Sequence, residues 1–142
     1  MKNNIKQNEN LLFAAWGVSL IATIGSLYFS EIIGYIPCEL CWYQRIFMYP
    51  IVIILGIAVV KKDTKQALYS AVFSGIGLII AFYHYLVQKV PAMTKLDSCG
   101  LIPCASQYIN WFGFITIPFL ALVGFTIIFV ISVVIIKTNQ GR

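Results

Sequence analysis

Two cysteines, Cys38 and Cys41, are separated by two residues in the stretch Pro37-Cys38-Glu39-Leu40-Cys41-Trp42-Tyr43-Gln44-Arg45, where a short loop becomes a long apolar run. A C-x-x-C pair at a helix start meets the positive end of the backbone dipole, which favours the thiolate, the species that attacks disulfides and cofactors. A second pair, Cys99 and Cys104, encloses Gly100-Leu101-Ile102-Pro103, and the Gly and Pro favour a turn that brings the sulfurs together. Four cysteines permit three connectivities. Each local pair closes a small ring, which gives little loop-entropy stabilisation, so the pairs suit exchange better than stapling. Two other uses of the thiols stand beside this one. They form structural disulfides, or C-x2-C with C-x4-C supplies four zinc ligands, although an oxidising outer face suits zinc less. The site as read holds no metal.

Arg45 lies four residues after Cys41, so on a helix the two share a face about 6 Å apart. An arginine within membrane costs on the order of 3 kcal/mol. It serves either as a snorkelling anchor or as a donor to a polar headgroup and a cation beside the thiolate, and its spacing from Cys41 favours the second. His84, the single histidine, falls late in an apolar run at a depth comparable with Arg45. There it hydrogen-bonds a carbonyl, carries protons, or packs between helices. Trp42, Tyr43, Tyr83 and Tyr85 suit an aromatic interface belt.

These residues need elements to hold them. The chain has 142 residues, 60% of them hydrophobic and 11% charged. Soluble domains run nearer 45–50% and about 25%, so this chain belongs in a bilayer. A net charge of +5 does not indicate nucleic acid, because the basic residues flank apolar runs and form no patch interleaved with aromatics. Apolar periods predict helices over about 11–30, 42–60, 66–88 and 111–136, with outer loops 31–41 and 89–110, as one all-α transmembrane domain spanning 1–142. Pro50 is expected to kink the second helix. The first run is long for a signal peptide, and no A-x-A-like site follows it, so it reads as a retained helix. Lys2, Lys6, Lys61, Lys62, Lys65, Lys137 and Arg142 lie on one side of these spans, and Lys89 and Lys95 on the other. The positive-inside rule then puts both termini in the cytoplasm and all four cysteines at the outer face. Four spans with short turns most simply make an up-down bundle.

Together these residues resemble the DsbB-type disulfide bond formation proteins, and most closely the small BdbC-type members. The resemblance covers nearly the whole chain: four spans, C-x-x-C at the start of the second with Arg four residues on, and a second cysteine pair between the third and fourth. It implies a multi-pass protein of the cytoplasmic membrane that supports disulfide formation in exported proteins. A reduced, extracytoplasmic thioredoxin-like oxidase, DsbA- or BdbD-like, would attack the Cys99–Cys104 disulfide, with Cys99 as the attacked sulfur by analogy. Cys104 would exchange with Cys38, leaving Cys41 to pass electrons to a bound quinone, menaquinone or ubiquinone, held by Arg45. His84 falls where family members can place quinone-side polar groups. The spacing of Cys99 and Cys104 is much tighter here than in the best-studied members, which bears on the order of exchange. Two competing readings are a vitamin K epoxide reductase-like quinone reductase, whose active C-x-x-C tends to come late, and a non-enzymatic membrane subunit stapled by two disulfides.

Overall fold

The computed structural model describes residues 2–34, 36, 39–90, 92 and 117–141. Helix α1 spans Lys2–Leu27 and continues into a π-helical turn, Tyr28–Ile32. Helix α2 spans Glu39–Lys61, a 3-10 turn covers Thr64–Gln66, α3 spans Ala67–Lys89 and α4 spans Ile117–Gln140. All four helices are long and apolar enough to cross a membrane. In hydrocarbon each backbone polar group needs an internal partner, and a continuous helix provides it.

Side-chain contacts fix the up-down order. At one end Asn8, early in α1, donates to Asn139 Oδ1, late in α4, at 3.2 Å, and Asn139 Nδ2 donates to Thr64 Oγ1 at 2.6 Å. At the other end Arg45, early in α2, reaches Ser26, late in α1, and Gln44 meets His84, late in α3. The rings of Tyr85 and Phe119 add the start of α4 to that end, 5.7 Å apart. The bundle is therefore all-α and up-down, as the apolar runs predict. The reversal between α2 and α3 places Lys62 at φ 53°, a left-handed helix stop, and Asp63 accepts from the Lys65 N–H at 3.0 Å.

Met48, Ile51, Leu55 and Ala58 form the buried stripe of α2, and Phe125, Ile128 and Ile135 that of α4. The inward face of α3 is built from small residues: Ala67, Ser70, Ala71, Ser74, Gly77 and Ala81. Small residues let helices approach closely where water cannot drive association. Ser132 Oγ donates to Ser70 Oγ at 3.1 Å across this seam, and Phe125 lies against Gly77. Ile53, Val60 and Ile79 point outward, as lipid-facing positions should.

The helix bounds differ from expectation at three places. Helix α1 starts at Lys2, not near residue 11, because its polar first turns have partners: Asn8 is buried against Asn139, and Glu9 pairs with Lys62 at 3.5 Å. Helix α2 begins at Glu39, which puts Cys41 in its first turn instead of in a loop. Helix α4 runs on to Gln140, and the expected start over 111–116 lies outside the described residues, with most of the loop before it. Helix α2 passes through Pro50 without interruption.

Gly77→Ala tests the α3–α4 seam. A Cβ there runs into the Phe125 ring, whereas one at Gly17 meets nothing within 4 Å. Overpacking costs roughly 1–3 kcal/mol, against a helix-propensity gain of about 1 kcal/mol. Gly77→Ala should lower the unfolding midpoint in detergent, and Gly17→Ala should leave it level or raise it.

Candidate thiol and cofactor site

Cys41 sits half-buried in the first turn of α2, and Arg45 follows one turn later on the same face. Arg45 is tied to α1 at two points. Its Nε donates to Ser26 Oγ at 3.0 Å, and its Nη2 donates to Ser26 O at 3.1 Å. A carbonyl oxygen has two lone pairs, so Ser26 O can accept a guanidinium beside its helical partner. The guanidinium carbon also stands 5.4 Å from the centroid of the Trp42 ring, within cation–π range.

Cys41, Arg45 and Ser26 border a partly open cavity of about 420 Å³ between α1, α2 and α4. That volume falls within the roughly 300–1,000 Å³ of small-molecule sites. Its walls are mainly apolar, with Ile21, Phe29, Met48, Leu120 and Ile127 among them. Cys41, Gln44, Arg45, Ser26, Ser30 and Tyr49 supply the polar and reactive groups. The π turn carries Phe29 and Ser30 into this lining. Such turns shift the register of the following residues and recur at functional sites.

The structure thus brings Cys41 and Arg45 to one cavity. It places His84 differently. His84 is buried on α3, is not among the lining residues, and meets the cavity through Gln44, with Gln44 Nε2 and His84 Nδ1 3.1 Å apart. Cys38, Cys99 and Cys104 lie outside the described residues. Ser26 and Gln44 are site residues that sequence reasoning did not single out. Gln44 did carry a signal, as an amide inside an apolar run next to Arg45.

The fold and site together define a multi-pass membrane protein with a thiol and a cation at the head of an apolar cavity. The chain matches the family model "Disulfide bond formation protein DsbB" over residues 8–135. It is 60% identical to "Probable disulfide formation protein C 1" of Bacillus anthracis, over 94% of this chain and 97% of the relative. It is 56% identical to "Disulfide bond formation protein C" of Bacillus subtilis (strain 168), over 92% of each. It is 41% identical to "SPbeta prophage-derived disulfide bond formation protein B" of the same organism, over 96% of this chain and 93% of the relative. No solved structure gives a significant match. The chain belongs to the DsbB family of disulfide bond formation proteins, and its role is oxidoreductase chemistry in disulfide formation.

Ser26→Ala removes one of the two acceptors of Arg45. Hydrogen bonds to charged groups contribute about 1.5–3 kcal/mol. The variant should lose about that much stability in a reversible unfolding assay, and Ser26→Thr, which keeps the hydroxyl, should lose much less.

Proposed function

We propose that this chain reoxidises an extracytoplasmic thioredoxin-like oxidase of the DsbA or BdbD kind and delivers the electrons to a membrane quinone. The observation that carries the proposal is that Cys41 and Arg45 line the same apolar cavity. The residues present fit a quinone headgroup: apolar walls for the ring, and a guanidinium to donate to a ring oxygen. When bound, the quinone supplies an acceptor for two electrons and two protons.

In this reading Cys99 and Cys104 meet the partner, whose dithiol is oxidised to a disulfide as theirs is reduced. Exchange with Cys38 and Cys41 then moves the two electrons and two protons to the α2 pair and restores the Cys99–Cys104 disulfide. Cys41, at the cavity, is the last sulfur of the relay. Arg45 keeps a positive charge where negative charge develops, and Ser26 holds it in place before any cofactor arrives. The mainly apolar walls lower the local dielectric, which strengthens that electrostatic contribution. The lysine distribution supports cytoplasmic termini, a cytoplasmic-membrane location and cysteines on the outer face.

Purified chain should turn over a reduced thioredoxin-like oxidase only when quinone is added. Cys41→Ser should abolish turnover. Arg45→Met should raise the KM for quinone by roughly tenfold or more, the loss of one charged hydrogen bond. Gly25 borders the cavity, and a Cβ there meets nothing within 4 Å, so Gly25→Leu should fill the site and cut turnover while the protein stays folded. Quinone-independent turnover, or full activity of Cys41→Ser, would exclude this function.

A further inference from the structure

Gln44 is part of the cavity wall and His84 lies behind it, and the pair has no part in the relay of sulfurs. Gln44 is 6% exposed and lines the cavity from α2, and His84 is 1% exposed and reaches Gln44 from α3. A side-chain amide has one donor end and one acceptor end. The bond to the imidazole commits one of these ends to α3. The amide's bond to His84 and its place on the cavity wall come from the same side chain, so orienting the first orients the second.

We infer that Gln44 is a direct hydrogen-bonding ligand of the cavity's occupant and that His84 is a positioning residue acting through it. This rests on the quinone reading of the cavity. It reassigns His84 from cofactor contact to support, and gives the contact to Gln44.

The chemistry of the pair fits an occupant whose polar atoms change character on reduction. Neutral imidazole carries its proton on either nitrogen. With Nδ1 as acceptor, Gln44 donates its NH2 to His84 and turns its carbonyl oxygen away. With Nδ1 protonated, the carbonyl oxygen accepts and the NH2 is the end turned away. The amide therefore offers the cavity either an acceptor or a donor, depending on the histidine tautomer. A quinone oxygen needs a donor, and a quinol hydroxyl can use an acceptor. Arg45 can only donate, so the amide supplies the acceptor that the guanidinium lacks. A lysine or arginine at position 44 could not do so.

The test is ligand binding without turnover. Detergent-purified full chain with oxidised cysteines is titrated with decylubiquinone and with menadione, each oxidised and reduced, following tryptophan quenching. Trp42, against Arg45, is a reporter near the site. The variants are Gln44→Met, His84→Leu and the double substitution. Gln44→Met should weaken both the oxidised and reduced forms by roughly three- to tenfold, the loss of one neutral hydrogen bond. His84→Leu should weaken them no more than Gln44→Met, and the double variant should match Gln44→Met alone. A purely structural pair would alter thermal stability and leave both affinities native, which overturns the inference. Losses that add in the double variant would put His84 itself on the ligand and also overturn it. If His84→Leu does not fold, Gln44→Met decides alone, and native affinity for both forms refutes the assignment. If the native chain binds neither compound, the quinone reading itself fails. Native binding with an unaffected Gln44→Met leaves that reading intact and removes only the amide's role.

Discussion

Arg45 carries a charge within a helix otherwise apolar enough to span a membrane, and the structure meets that constraint with two bonds to one residue of the neighbouring helix. The insertion cost of an arginine is about 3 kcal/mol. Two hydrogen bonds to a charged group contribute about 1.5–3 kcal/mol each, enough to offset it. The same bonds lock the end of α1 to the start of α2, and the cavity opens beside that lock. A cation that merely snorkelled to the interface would leave the helix ends free and the cavity without its donor. The anchoring role and the proposed chemical role therefore coincide in one side chain.

The rest of the bundle keeps that junction in register. At the far end Asn8, Asn139 and Thr64 join the start of α1, the end of α4 and the turn between α2 and α3. The small-residue face of α3 draws α4 close, with Phe125 against Gly77. The cavity lies on the opposite flank, where α1 and α4 flank the first turn of α2 and α3 contributes no lining residue. Tight packing on one side and space on the other would suit the proposed bilayer-soluble ligand. The π turn at Tyr28–Ile32 completes the wall by turning Phe29 and Ser30 inward.

Much of this is legible in residue order alone. Runs of about twenty apolar residues specify spanning helices, since hydrocarbon allows the backbone few alternatives. The i, i+4 relation of Cys41 and Arg45 follows from helix geometry. The partners of Arg45 and Gln44 do not follow, because both are set by register between separate helices. Ser26 is one of several small polar residues in apolar runs, and only packing selects it. His84 stands out as the single histidine, yet its partner lies forty residues away on another helix, so its indirect relation to the cavity is a tertiary fact. The early start of α1 is hidden for the same reason: Asn8 and Glu9 read as solvent-facing until Asn139 and Lys62 are beside them.

The proposed function puts the Cys41 thiol and the quinone in one cavity. The most direct measurement is the alkylation rate of reduced Cys41 in a chain carrying Cys38→Ser, Cys99→Ser and Cys104→Ser, with increasing decylubiquinone. The account predicts that alkylation slows to a saturating limit, and that adding Arg45→Met shifts this protection to higher quinone concentration. A rate that stays constant while the same preparation binds quinone would place the ligand elsewhere and contradict the claim.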